Sequence, residues 1–305
     1  MDEERLYRFE AGLDPQNLKE SAIPATILGY GEISAIFQIT GDDRYVYKRM
    51  PLFATRQAAA AYDRMYHEYS RMLTRAGLRL PAHHTRITSV PGRPVSLYIA
   101  QEKLPEERLC HRLIHSLDST AALTLIEQVV SEINKIWLFN QSATPDLELA
   151  IDGQLSNWAC LSSVSGSELH YIDTSTPLFR KNGTEQQDPE LMLRSAPGFL
   201  RWLIRLFFLK DVMSRYYNPR LVFTDLAANL YKEQKPGLVP GAIDIINRSL
   251  PDGYRPLTVE HVNAYYREDK RIWILFLAFR KADRWIKTRL MRQRYEFILP
   301  GQINR

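Results

Sequence analysis

Residues 25–50 read ATILGYGEISAIFQITGDDRYVYKRM. Apolar and β-branched residues run on either side of Gly41-Asp42-Asp43, so the stretch predicts two β segments joined by a turn there, a hairpin. A pair of glycines, Gly29 and Gly31, stands near the start of the first segment, and Lys48 lies on the second. From Thr55 to Ala76 strong helix formers follow, with Ala58, Ala61, Tyr62, Met65, Tyr69, Met72 and Leu73 at three- and four-residue spacings and Gly77 at the stop position. The spacing predicts one amphipathic helix packed on the hairpin. Further strands are expected between Ile87 and Leu104, interrupted at Pro91-Gly92.

Beyond residue 104 the pattern changes. Ser119 is placed to cap a long helix through Phe139, with Leu123, Ile126, Val129, Val130, Ile133 and Ile136 on its apolar face. Short β-like pieces follow at 158–161 and 170–173, then helices around 198–217, 258–266 and 271–294. A β-rich first third and a helix-rich remainder predict an α+β protein with two lobes, divided into residues 1–103 and 104–305, with a cleft between them.

Composition agrees with that size. The 305 residues include 45% hydrophobic and 25% charged residues with a net charge of +5, which excludes disordered and fibrous classes. The longest uncharged apolar run, Ile272 to Phe279, is far short of the roughly 18–20 residues that span a bilayer. With a charged start and no signal-type apolar segment, the sequence predicts a cytoplasmic protein. Cys110 and Cys160 are expected to be buried thiols, not a disulfide.

Four features carry chemistry. Glycines at a hairpin tip allow backbone to approach phosphates closely, and Lys48 on the next strand supplies a point charge to the same groups. Because a strand and not a helix follows the glycines, the dinucleotide fingerprint does not apply. Glu68, on the first helix, is in sequence range to pair with Lys48. In AIDGQLSNWA, Asp152 and Asn157 are five residues apart in a loop, an arrangement that points a carboxylate and an amide at one spot, and Asp173 follows at the end of the next β piece. Hard oxygen donors of this kind suit Mg²⁺ beside phosphate groups.

The order of these parts resembles the protein-kinase-like superfamily, which includes protein kinases and the aminoglycoside phosphotransferase and choline kinase group; the resemblance covers roughly residues 25–177. It implies a bilobal kinase-like fold with a small β-rich N-lobe and a larger helical C-lobe. Gly29 and Gly31 then match the first two glycines of the phosphate-covering loop, with Ser34 where the third would stand. Lys48 and Glu68 match the strand lysine and its helical partner, and Glu102 and Lys103 fall near the segment that holds the adenine. Asp152 matches the catalytic-loop base, Asn157 and Asp173 the metal-binding pair. ATP and Mg²⁺ are the implied cofactors, and the implied activity is phosphotransfer to an unidentified hydroxyl acceptor.

Departures from the pattern shape this expectation. Ala150-Ile151 replaces the usual His-containing pair before the catalytic aspartate, and Thr174-Ser175 replaces Phe-Gly after Asp173. Without the activation-loop apparatus of protein kinases, a small-molecule acceptor is expected. The alternative is a catalytically inactive pseudokinase, a scaffold that binds a nucleotide or a partner. A second register, Asp225, Asn229 and Asp244, mimics the motif but needs a long insertion, so Asp152, Asn157 and Asp173 are preferred and Asp225 becomes a capping or substrate-side residue. The pairs His83-His84 and His111/His115 lack a nearby third ligand and are expected in surface or capping roles. Residues 280–294 hold seven basic residues and one acid at helical spacing, expected as a terminal helix with a solvated basic face; contact with nucleic acid or a membrane surface is the lesser reading.

Overall fold

The computed structural model describes residues 2–30, 35–142, 146–162, 168–188, 191 and 214–299. After a first helix α1 (Glu3–Gly12), five strands form one antiparallel sheet: β1 (Ala25–Tyr30), β2 (Ala35–Ile39), β3 (Tyr45–Phe53), β4 (His83–Thr88) and β5 (Val95–Glu102). Their spatial order is β1-β2-β3-β5-β4. The segment read as the first arm of a hairpin is therefore two strands, one ending at Tyr30 and the next starting at Ala35. Gly31 and Ser34 lie outside the described residues.

Strand β5, interior to the sheet, is buried along its length except at Glu102. Alternation along a strand explains this, because successive side chains leave on opposite faces. Leu97 and Ile99 pack with Tyr62 and Tyr66 of helix α2 (Arg56–Arg75), whereas Tyr98 and Ala100 pack with Phe9 of α1. Thr55 caps α2 by accepting from the Ala58 N–H at 3.2 Å. The helix stops at Gly77, whose φ of +91° is the left-handed conformation that glycine tolerates. There the Leu78 N–H donates to the Leu73 carbonyl and the Gly77 N–H to that of Thr74, each at 3.0 Å, so the stop is a Schellman turn.

The helical part is built on α4 (Ser119–Ser142), which follows the short α3 (Cys110–Leu113). Its cap is Asp118, not Ser119: the Asp118 carboxylate accepts from the Ala121 N–H at 2.8 Å. Helices α5 (Pro219–Lys232), α6 (Val239–Ser249) and α7 (Val259–Trp285) complete the layer, and the two helices expected at 258–266 and 271–294 are one, running on as a π turn over 286–290. Between α4 and α5 lie short strands β6 (Leu147–Leu149), β7 (Trp158–Cys160), β8 (Leu169–Tyr171), β9 (Phe179–Lys181) and β10 (Thr184–Glu185), paired as β7-β8 and β10-β9-β6. Of the helix expected at 198–217, the described residues include only its end, a 3₁₀ turn at 215–217.

An α+β architecture is thus present, a sheet-based first part and a helical second part. The split at 103/104 is less clean than expected, because 294–299 return to the first sheet: Arg294 donates to the Leu13 carbonyl and Gln16 to that of Tyr295. Both cysteines are buried and free. Among the described residues no helix is long and apolar enough to cross a membrane.

Candidate active site

A cavity of about 470 Å³ lies where the sheet meets the helical part, lined by Gly29, Lys48, Glu102, Lys103, Asp152, Asn157 and Asp173. Seven positions spread over 145 residues of sequence converge there. Leu28, Ile36, Val46 and Ile99 supply apolar wall, and His111, Arg112 and Lys232 also line the space. A Cβ added at Gly29 would meet only Ile36, at 3.7 Å, an ordinary contact. Side-chain packing within the fold therefore does not demand glycine there, although the β1–β2 register shifts between Ile27 and Gly29.

Lys48 projects from β3 on the α2 side of the sheet, and its Nζ lies 2.6 Å from Asp173 Oδ1 and 3.3 Å from Ser175 Oγ. Ser175 Oγ donates to the same carboxylate oxygen at 2.8 Å. Burial alone would push the Asp173 carboxyl up, but the adjacent ammonium and hydroxyl outweigh it and hold it below its ordinary value of 3.8. A depressed carboxylate stabilises the fold above its unfolded pKa, and that contribution disappears as pH falls through the folded value. Wild type is accordingly expected to exceed Asp173→Asn in urea stability at pH 6, with the gap closing only below pH 3.8, the acid window set by that shift. A gap independent of pH would show that the Lys48 pair does not set this carboxyl's titration.

Glu68 does not join this group. Its carboxylate pairs with Lys181 at 2.6 Å on another face of the protein. At about 100° per residue, Glu68 is turned roughly 120° away from the stripe Tyr62, Tyr66, Tyr69 and Leu73 that faces inward. Three tyrosines occupy the inward face of α2 instead. Tyr62 donates to the Ser175 carbonyl at 2.8 Å, Tyr69 to the Ala150 carbonyl at 2.9 Å, and Tyr66 meets the Thr174 hydroxyl at 3.3 Å. Helix α2 thereby ties down both the loop before Asp152 and the loop after Asp173. The signal was in the sequence as i, i+4, i+7 tyrosines, which also read as ordinary apolar face.

The Asp152 loop is fixed from inside. Asp152 Oδ1 accepts from the Gln154 N–H at 3.2 Å, and Asn157 Nδ2 donates to the Asp152 carbonyl at 3.2 Å. That bond turns the Asn157 amide so that its oxygen is the atom left to hold a cation. The Ile172 N–H donates to the Asn157 carbonyl at 2.9 Å, locking this loop to the segment that leads from β8 to Asp173. Gly153, which reads as a turn glycine, is needed for packing: a Cβ would lie 2.7 Å from Val222 and 2.8 Å from Ile133. Gly153→Ala is expected to cost about 1–3 kcal/mol in chemical denaturation, the usual range for overpacking; a neutral result would show that α4 and α5 can move apart there.

Two further expectations change. The Glu102 and Lys103 N–H groups donate to the Ala82 and Arg44 carbonyls, at 2.7 and 2.9 Å. Both residues line the cavity, but these donors are committed to the fold and are closed to a base. Asp225 is neither a cap nor on the cavity: it is buried inside α5, 3.3 Å from Arg215 and hydrogen-bonded to Tyr265. The register through Asp152 is the one that converges.

As metal donors, the Asn157 amide oxygen and Asp173 carboxylate are few and hard, and among the described residues no group of three or more His, Cys, Asp or Glu could hold an ion. That set suits Mg²⁺, which takes most of its ligands from phosphate and water.

The profile described as Family of unknown function (DUF6206) matches residues 15–284. No curated protein matches the sequence. Similar solved structures include "WaaP in complex with acyl carrier protein", at 13% identity and TM-score 0.34, covering 81% of this chain and 96% of that one. Another is the GDP complex of wild-type aminoglycoside 2'-phosphotransferase-IIIa, at 10% identity and TM-score 0.34, covering 75% and 93%.

Proposed function

We propose that this chain, which belongs to the DUF6206 family of unknown function, is a kinase-like phosphotransferase that uses ATP and Mg²⁺ to phosphorylate a hydroxyl group on a small molecule. One observation carries the reading: Lys48, Asp152, Asn157 and Asp173 line a single cavity beneath Gly29. In this role Lys48 leaves Asp173 to hold the transferring phosphates, and the freed Asp173 carboxylate and the Asn157 amide oxygen hold the cation. A cation held there would neutralise charge developing on the phosphoryl oxygens. Asp152 orients the acceptor hydroxyl and takes its proton. The cavity's apolar wall accepts a base by stacking and exclusion of water, with the Glu102 and Lys103 N–H groups already engaged.

A second reading, a nucleotide-binding scaffold without transfer, draws on Glu68, which is paired with Lys181 and so does not hold Lys48 in place. Calorimetric titration with ATP and GTP, each with and without Mg²⁺, tests both readings. Wild type is expected to bind at millimolar nucleotide or better with Mg²⁺; Lys48→Met weakens binding generally, and Asp173→Ala removes only the Mg²⁺-dependent part. No binding at millimolar nucleotide sinks both readings, and binding without turnover of any tested hydroxyl compound leaves the scaffold.

A further inference from the structure

Among the described residues, seven of the twelve large apolar side chains that are exposed fall between Ile272 and Met291. They are not scattered around α7. At 100° per residue, positions 271, 275, 278, 282 and 285 share one line, and Leu275 and Trp285 on it are each 56% exposed. Ile274 and Ile286 widen the stripe to either side and are exposed as well. The opposite face packs inward, where Arg280 and Asp283 are buried and Asp283 takes Lys287 as partner at 2.8 Å.

Charge on the C-terminal stretch of this helix is one-sided. Residues 270–294 contain nine Lys and Arg and a single acid, Asp283, which is the buried one. The exposed apolar line is therefore edged by cations such as Lys281 and Arg289, and the nearest exposed acid on this helix is Glu268, a turn before Arg271. Lys281 and Arg284 also line a cavity of about 670 Å³ with Lys19, and no lining residue there is acidic.

We propose that this face of α7 docks the protein on an anionic phospholipid surface, with Leu275, Trp285 and their neighbours at the acyl boundary and Lys281 and Arg289 among the headgroups. The chemistry selects this occupant over two others. A second copy packed on this stretch about a twofold axis would bring the nine cations of residues 270–294 against the same nine of its partner, with only the buried Asp283 among them. A nucleic acid would satisfy the cations but leave the isoleucine, leucine and tryptophan stripe against phosphates and water.

Sedimentation of the full chain with vesicles tests the docking, comparing phosphatidylcholine alone with phosphatidylcholine containing phosphatidylserine. The wild type is expected to bind only the anionic vesicles and to release as salt rises. Leu275→Glu with Trp285→Glu should abolish binding, and Lys281→Glu with Arg289→Glu should weaken it by roughly tenfold or more. All four positions are outside the nucleotide cavity, so unchanged melting temperature and nucleotide binding show that the variants are folded. Absence of wild-type binding, equal binding to uncharged vesicles, or binding that ignores both double variants overturns the proposal. So does a solution dimer, or salt-sensitive DNA binding in place of vesicle binding, that is lost with the same substitutions.

Discussion

Asp152→Asn is expected to slow phosphoryl transfer by about 10²–10⁴-fold, the range a positioned general base contributes, while Mg²⁺–nucleotide affinity stays within about twofold of wild type. The separation follows from where the bonds lie. Asparagine keeps an oxygen at the position that accepts from the Gln154 N–H, and the bond from Asn157 goes to the backbone carbonyl of residue 152, which the substitution does not touch. The loop is further held through Ala150 by Tyr69. What changes is the ability to take a proton. Asn157→Ala is the informative contrast, because it removes both the amide that steadies this carbonyl and a proposed cation ligand, so affinity in Mg²⁺ and rate should fall together. Retention of full turnover by Asp152→Asn would exclude Asp152 as the base. Loss of nucleotide binding in that variant would mean that it orders the cavity instead.

How far such a site is legible in sequence depends on the distance over which each part is determined. The order of strands, the long helix and the two acidic loops could be read because periodicity and turn residues act over a few positions. The same local rules found Gly29, Lys48, Asp152, Asn157 and Asp173, all of which line one cavity. Glu68 failed for an angular reason: a position displaced by one along a helix rotates by about 100°, and a spacing from Lys48 does not fix that phase. The roles of Glu102 and Lys103 depended on where two N–H groups donate, and their acceptors, Ala82 and Arg44, are supplied by neighbouring segments. Spacing sets aside the register through Asp225, but the capping or substrate-side role expected of it failed because Arg215 and Tyr265, supplied from outside α5, meet it inside the helix layer. The return of 294–299 to the first sheet had no local signal at all, since its anchor joins residues 247 apart.

That anchor sets the largest expected loss of stability. Arg49 follows Lys48 on β3 and so points to the opposite face, where its guanidinium forms a two-bond pair with the Glu10 carboxylate at 2.7 and 2.6 Å and reaches Glu296 at 2.8 Å. Arg49 and Glu10 are almost wholly buried, and the Tyr98 hydroxyl also donates to Glu10. Burial raises the Glu10 pKa, but Arg49 and Tyr98 outweigh it, so the carboxyl titrates below its ordinary value of 4.5. Arg49→Met leaves that charge buried and unpaired, which costs about 3–5 kcal/mol. A double substitution, Glu10→Leu with Arg49→Met, removes both charges and is expected to recover most of the loss, because well-packed apolar groups can replace a buried pair. Since Glu296 is anchored by the same guanidinium, the single variant should also free the terminal segment to protease. Stability of the wild type should fall in acid as Glu10 protonates, whereas the double variant should lose that part of the acid dependence. Urea unfolding of the three proteins at pH 7 and below pH 4.5 decides it: a single variant as stable as wild type would show that the pair, and with it the strand carrying Lys48, is held by the surrounding apolar packing alone.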